Sequence, residues 1–318
     1  LSGVVIAEPP GSGLGYWAGA PLIIIYDSEK EKFYLYYRLR WPRGVGKLDR
    51  GGECRIAESD EGINFKIIWQ AIKDQFSTPS IERGCIVKTS DGKFRLYIGL
   101  VDTADNRWRI DMMEADNPSK FDPSKRIKIL TADMADGEGV KDTYIVKIGN
   151  LYWMYFSYAP RPENITPEEK KELHKTADVF MTGYVSSLTG LAISQDGINF
   201  QWEGVVLGQG KSWDKWCARL TTIIPTPPFF TVYYDGASSV KENYEEKTAI
   251  AITFDLKNFQ RISINGPALL FPYALGSIRY VEAIRVKNKI YFYYEFTKAN
   301  GAHELRIAVV KTGKKNQK

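Results

Sequence analysis

The segment Arg55-Ile-Ala-Glu-Ser-Asp-Glu-Gly-Ile-Asn-Phe65 returns further along the chain as Leu191-Ala-Ile-Ser-Gln-Asp-Gly-Ile-Asn-Phe200. Each copy runs an apolar stretch into an Asp/Gly/Asn turn and then opens the next stretch with Phe. That is hairpin chemistry: Gly supplies positive φ without a steric cost, and short Asp, Asn and Ser side chains bond back to the turn's own backbone. Degenerate copies stand at Met112-Met-Glu-Ala-Asp-Asn-Pro-Ser-Lys-Phe121 and Ile250-Ala-Ile-Thr-Phe-Asp-Leu-Lys-Asn-Phe259. The closing Phe residues fall at 65, 121, 200 and 259, so they are spaced by 56, 79 and 59.

Working outward, each copy is preceded by a strand thick with aromatic residues, Phe33–Tyr37, Phe94–Ile98, Tyr152–Phe156 and Phe229–Tyr234, and a fifth such strand, Tyr291–Phe296, follows the last copy. β-branched and aromatic side chains prefer a pleated sheet to a helix. Four strands in a sequential repeat of this length describe a β-propeller blade, and counting from Trp17 gives five. The competing architecture is a pair of β-sandwiches, which near-equal sequential repeats disfavour. The long interval requires an insertion, found at about 160–183, where Thr166-Pro-Glu-Glu169 carries a capping box with Pro at the first helical position. The fifth blade shows three strands, Ser277–Val286, Lys289–Phe296 and Glu304–Lys311, and the apolar run Gly3–Ala7 is suited to supply its fourth. The expected fold is all-β: a single five-bladed β-propeller over 1–318, closed by the N-terminal strand 3–7, with one helical insertion in blade 3.

Composition narrows function before any site is chosen. With 318 residues, 44% hydrophobic and 25% charged, the chain can bury a large core, which excludes disorder and a disulfide scaffold. His174 and His303 are the only histidines, leaving little for an imidazole-based triad or zinc site. Cys54, Cys85 and Cys217 form no C-x-x-C pair and read as reduced structural thiols. The longest apolar run, Ala20–Tyr26, is too short to cross a bilayer. The chain starts at Leu1 without a basic, then apolar, leader, so a targeting signal is expected to have been removed or never to have existed. Localisation is left open, with the cytoplasm the default. A net charge of +5 is too mild for a nucleic-acid partner, and Lys311, Lys314, Lys315 and Lys318 read as a solvated tail. No cofactor is expected, since no cluster at ligand spacing is visible; a structural metal in the channel stays open.

In a propeller the first strand of each blade lines the central channel. Those strands carry Trp17-Ala-Gly-Ala-Pro, Ser80-Ile-Glu-Arg-Gly, Val140-Lys-Asp-Thr-Tyr, Cys217-Ala-Arg-Leu-Thr and Arg279-Tyr-Val-Glu-Ala. Aligning their apolar pairs sets Asp142 opposite Glu282, with Glu82 within one position. Three acids from three blades would then meet at one mouth. Converging carboxylates are what glycosidic cleavage needs, one to protonate the leaving oxygen and another to activate water or attack the sugar. Arg83, Lys141, Arg219 and Arg279 stand beside them, with Arg38 and Arg40 behind in blade 1, and Trp17 and Tyr280 are candidate sugar platforms. For any one of these residues, a salt bridge between neighbouring blades is an equally good explanation.

These residues resemble the propeller glycosidases: glycoside hydrolase families 43, 32 and 68, and the family 130 mannoside phosphorylases and hydrolases. The likeness is carried by the Asp-Gly-Ile-Asn-Phe blade turn, by Lys141-Asp142 before a β-run and by Trp213-Asp214 ahead of a first strand. Lys141-Asp142 is similar to the second acidic position of family 43. Tyr37-Arg38, Glu82-Arg83 and the 55–65 turn look closer to family 130. The resemblance implies a site in which Glu82, Asp142 and Glu282 are catalytic, while Trp17, Arg38, Arg83, Lys141, Asp214, Arg219, Arg279 and Tyr280 bind substrate. The chain departs from family 43 at Ala20-Pro21, where that family places its base Asp, and from family 130 at Glu82-Arg83, where an Asp-Pro would intervene. The first expectation is a glycoside hydrolase acting on oligosaccharides or glycosides. Two alternatives stand beside it: a phosphorylase whose axial Arg and Lys hold inorganic phosphate, and a carbohydrate-binding propeller without catalysis. The expected partner is a carbohydrate, neutral or anionic, and the 160–183 insertion is placed either over the pocket or against a second subunit.

Overall fold

A computed structural model describes residues 3–27 and 32–312; Lys314, Lys315 and Lys318 of the basic tail lie outside them. The chain is a five-bladed β-propeller, 7% helical. The N-terminal strand is β1 (Val4–Ala7). Blade 1 is built from β2 (Trp17–Asp27), β3 (Lys32–Trp41), β4 (Arg50–Ser59) and β5 (Lys66–Ile72), and blade 2 from β6 (Ile81–Lys88), β7 (Phe94–Val101), β8 (Trp108–Ala115) and β9 (Ile127–Leu130). Blade 3 holds β10 (Gly137–Ile148), β11 (Leu151–Pro160), β12 (Leu188–Ser194) and β13 (Gln201–Leu207), and blade 4 holds β14 (Cys217–Thr226), β15 (Phe229–Ala237), β16 (Lys247–Thr253) and β17 (Gln260–Arg261). Blade 5 contributes β18 (Ile278–Val286), β19 (Lys289–Thr297) and β20 (His303–Lys311), and β1 pairs antiparallel with β20 as its outermost strand. A single parallel pair, Trp17 with His303, joins blade 5 to blade 1.

The repeated turn explains how blades fasten to one another. In blades 1, 3 and 4 a hydroxyl at the end of the third strand caps the turn: Ser59, Ser194 and Thr253 accept the N–H of Gly62, Gly197 and Leu256 at 2.9, 2.9 and 3.0 Å. The capped residue has positive φ each time, 76°, 70° and 65°, which Gly adopts freely and Leu256 does not. Asp196 accepts the N–H groups of Ile198 and Asn199 in one such turn, and these bonds hold its carboxyl far below the usual range. The carbonyl of the capped residue then accepts a tyrosine hydroxyl from the preceding blade. Tyr97 reaches Gly197 at 2.7 Å, Tyr155 reaches Leu256 at 2.7 Å, and Tyr293 of blade 5 reaches Gly62 of blade 1 at 2.6 Å. The junction between the last blade and the first is therefore fastened like the internal ones.

Blade 2 lacks this turn. Phe121 does not open a strand, because two short 3-10 turns, Pro118–Lys120 and Pro123–Lys125, intervene before β9. Phe121 instead packs edge-on to Trp69, whose Nε1–H donates to its carbonyl at 2.8 Å. The three cysteines are free and buried, and burial pushes the Cys85 thiol up to about 12. The insertion contains one helix, α1 (Pro167–Glu172), with the capping box that its sequence requires: Glu169 N–H donates to Thr166 Oγ1, and Thr166 N–H to Glu169 Oε2.

Candidate functional site

Five first strands, β2, β6, β10, β14 and β18, surround the axis, and each carries a β-bulge at the same level. The register with the second strand breaks between Gly19 and Leu22, Ile81 and Gly84, Lys141 and Tyr144, Leu220 and Thr222, and Arg279 and Glu282. A bulge inserts one unpaired residue and turns its neighbours off the strand's alternation. The first unpaired residues of the bulges are Ala20, Glu82, Asp142, Thr221 and Tyr280. Ala20, Asp142 and Tyr280 sit there at φ 47°, 55° and 51°, a left-handed conformation that costs about 1 kcal/mol or more for residues with a Cβ. The structural partner of Asp142 is thus Tyr280, not Glu282 as the apolar pairs suggest. Glu282 lies one level deeper, equivalent to Tyr144.

This level gathers a dense set of charges. Asp142 Oδ2 accepts the Ser157 hydroxyl at 2.8 Å, its Oδ1 accepts the Tyr280 hydroxyl at 3.1 Å, and Arg219 Nη1 stands 3.5 Å from Oδ2. Burial alone would raise this carboxyl, but Lys141, Arg219 and Ser157 outweigh it and hold Asp142 below the usual carboxylate range. Glu82 lies between Arg38 at 2.8 Å and Lys141 at 3.5 Å. Gly99, on β7, lets the two first strands approach: a Cβ there would lie 3.2 Å from Glu82 Cβ, 3.4 Å from Lys141 Cβ and 3.6 Å from the Asp142 nitrogen. Burial pushes the Tyr280 hydroxyl well up, against the guanidinium of Arg219 that lies 4.1 Å over its ring.

Three further carboxylates complete the network. Arg219 binds Asp235 at 2.8 Å and Glu246 at 3.5 Å, while Arg279 binds Glu246 at 2.5 Å and Glu295 at 2.6 Å. Glu295 Oε1 also accepts the Ala20 N–H at 2.6 Å, so a carboxylate from blade 5 reaches the blade-1 bulge that has none of its own. Burial, reinforced by Glu246, raises the Asp235 carboxyl despite Arg219. Glu295 goes the other way, since Arg279 and His303 overcome its burial.

Of the eleven residues expected at the site, none is more than 6% exposed. Glu82, Asp142, Arg38, Lys141, Arg219, Arg279 and Tyr280 share the network. Arg83 and Glu282 form a separate buried pair at 2.8 Å, with Arg83 also donating to the Pro21 and Thr221 carbonyls. Asp214 has Tyr234 and Arg261 as its partners, at 3.0 and 2.7 Å. Trp17 presents its ring to three guanidiniums, of Arg38, Arg40 and Arg279, and stacks on His303. Sequence reasoning passed over Asp235, Glu246, Glu295 and Asp178. A signal for two of them is present: the residue after an aromatic pair on the second strand, as in Tyr36-Tyr37-Arg38, Tyr233-Tyr234-Asp235 and Tyr293-Tyr294-Glu295, pairs with a network-facing residue of the first strand.

The insertion closes over this level. Residues 174–182 form a strap in which Ala177 O accepts from Arg50 at 2.8 Å, and Asp178 accepts from Arg43 at 3.1 Å and Trp108 Nε1 at 3.2 Å. Lys141 Nζ packs over both Trp108 and the strap's Phe180, at 4.9 and 4.7 Å. Burial opposes the charge on Asp178, yet Lys141, Arg50 and Arg43 hold its carboxyl below the usual range.

No protein-family model matches the sequence, and no curated protein matches it. Solved structures match over nearly the whole chain. A member of the GH130 family of mannoside phosphorylases, which contains glycoside hydrolases that target β-1,2 mannosidic linkages in Candida mannan, aligns with TM-score 0.62 and 17% identity over 97% of this chain and 94% of its own. A thermostable family-43 glycoside hydrolase gives 0.63 and 12% over 98% and 94%. A GH43_1 enzyme from Xanthomonas citri gives 0.61 and 12% over 96% and 90%. At these identities the likeness is one of fold.

Proposed function

We propose that the chain is a glycosidase-type enzyme, a hydrolase of oligosaccharides or glycosides. The observation that carries this reading is the placement of Glu82 and Asp142 at one bulge level of adjacent blades, both backed by side-chain-free Gly99 and both facing Lys141 and arginines. Asp142, held ionised by Lys141 and Arg219 and oriented by Ser157 and Tyr280, takes the base or nucleophile role. Glu82 takes the role of proton donor. Glu282, which pairs with Arg83 and accepts from Thr222, is a positioning residue that fixes the blade-2 bulge.

The competing reading, a carbohydrate-binding propeller without turnover, draws on the same cation–carboxylate pairs as purely structural bridges. A phosphorylase draws on Arg38, whose Nε and Nη1 are buried beside Glu82 without an acceptor among the described residues. One experiment separates the three: a panel of aryl glycosides and oligosaccharides assayed with and without inorganic phosphate, using wild type, Glu82→Gln and Asp142→Asn. Hydrolysis without phosphate that falls on the order of a hundredfold or more in each variant supports the proposal. Strict phosphate dependence assigns a phosphorylase. Variants as active as wild type overturn the site, and binding without any turnover supports the binding propeller.

A further inference from the structure

Five axial cations, Arg38, Arg83, Lys141, Arg219 and Arg279, each face a carboxylate within 4 Å. Arg40 does not. It is 4% exposed, its guanidinium lies 4.5 Å over Trp17 and 4.7 Å over Tyr244, and among the described residues no acid pairs with it. Its Nε has no acceptor, and neither have Trp17 Nε1, Arg38 Nε and Nη1, or Arg279 Nη2. Single buried donors without an acceptor also occur on Arg50, Arg83 and Arg219, but these five stand together. Arg38, Arg40 and Arg279 stand 5.9, 4.5 and 4.7 Å from the Trp17 ring, so all these unsatisfied donors surround one indole. The register accounts for it: Trp17 pairs with Arg40 and Gly19 with Arg38 across β2 and β3, and the alternation of a strand puts both arginines on one face.

Buried donors without acceptors each cost about 1–3 kcal/mol, so a cluster of them is retained where something supplies the acceptors. Most of the nearby acids are committed elsewhere: Glu82 to Arg38 and Lys141, Glu246 to Arg219 and Arg279, Glu295 to Arg279 and Ala20, and Asp178 to Arg43 and Trp108, while Glu245, whose Oε1 faces His303, forms no ion pair with Arg40 among the described residues. His303 faces Glu295 and Glu245. Arg50, beside the strap, donates to the carbonyls of Thr176 and Ala177. What the cradle lacks is one negative charge with two in-plane oxygens, to meet a guanidinium whose faces are already covered by Trp17 and Tyr244.

We propose that Trp17, Arg38, Arg40 and Arg279 form a carboxylate subsite, so that the sugar taken by this propeller is an acidic one of the uronate class. The assignment rests on the carbohydrate-site reading above and adds its substrate class. The unmatched charge is single, which suits a carboxylate better than a phosphate dianion. The shared chemistry is an oxyanion, and its source, a sugar carboxylate or free phosphate, is separated by the test.

Calorimetric titration of the whole chain with D-glucuronate and D-galacturonate is compared with D-glucose, D-galactose and inorganic phosphate. At least one uronate is expected to bind roughly tenfold or more tightly than its neutral counterpart, the size of a charge-assisted pair. Arg40→Met removes the preference and Arg40→Lys restores part of it. The wild-type ratio needs no variant, so the proposal stays testable if Arg40→Met does not fold. Equal binding of neutral and acidic sugars, absence of uronate binding, phosphate binding without uronate binding, or an undiminished preference in Arg40→Met each overturns it. Turnover of neutral glycosides without a uronate preference would overturn this subsite and leave the glycosidase reading standing.

Discussion

Replacing Tyr293 by Phe tests whether the ring is closed as tightly as it is built. The substitution keeps the ring packed in the core and removes only the hydroxyl that donates to Gly62 O at 2.6 Å. Burial keeps that phenol protonated, with its ordinary value pushed well up, so it is a donor throughout the accessible pH range. Gly62 is buried, and its carbonyl would lose that partner with restricted access to water. An orphaned buried acceptor costs about 1–3 kcal/mol. Tyr97→Phe and Tyr155→Phe remove equivalent bonds of 2.7 Å to buried Gly197 and Leu256, and should cost the same within about 0.5 kcal/mol. Equilibrium urea unfolding of the three variants and wild type reads this as equal falls in midpoint at constant slope. A Tyr293→Phe variant that loses nothing while the other two lose their full share would refute the reasoning. It would mean that the blade 5 to blade 1 junction carries no load.

Gly99→Ala introduces a Cβ 3.2 Å from Glu82 Cβ and 3.4 Å from Lys141 Cβ; it should cost about 1–3 kcal/mol by overpacking yet lower kcat/KM on the order of tenfold or more, because it displaces Glu82 and Lys141 from their places beside Asp142. Asp142, Asp178, Glu246 and Glu295 all have folded-state values below the ordinary carboxylate range, so they stabilise the fold above about pH 4 and that contribution is lost as pH falls below it. Asp235, with a raised value, opposes them by favouring the protonated form. Urea midpoints between pH 7 and 3 should therefore decline, most steeply at the acid end, and a flat profile would contradict the network. Asp178→Asn weakens the strap's pairing with Arg43 and should make the 160–183 segment more sensitive to limited proteolysis while the rest of the ring resists.

The blade turn was legible because every atom that makes it is local: Ser194, Asp196, Gly197 and Asn199 bond within six residues, and the capping hydroxyl survives in sequence in blades 1, 3 and 4 but not in blade 2. The same holds for the Thr166–Glu169 capping box. The axial register was not legible, because a bulge adds a residue without changing composition. Matching apolar pairs therefore shifted Glu282 two places, onto Asp142 and away from Tyr144. The carboxylates of Asp235 and Glu295 come from the second strand, and Glu246 and Asp178 come from loops, where no strand periodicity marks them. The axial arginines were visible as an excess of positive charge on the channel-lining strands. Their partners were not, since pairing across blades joins residues far apart in sequence, such as Arg83 and Glu282.

The strap has a consequence for how tightly any ligand can be held. The network groups are 0–6% exposed and the strap's Phe180 lies over Lys141, so where a ligand reaches Asp142 or Glu82 from this side it meets a molecule whose 174–182 segment has moved aside. Every observed dissociation constant is then the intrinsic one divided by the open fraction: a strap open about one time in a hundred weakens apparent affinity about a hundredfold. Substitutions at Arg43, Arg50 or Asp178, none of them at Asp142 or Glu82, would tighten ligands simply by raising that fraction.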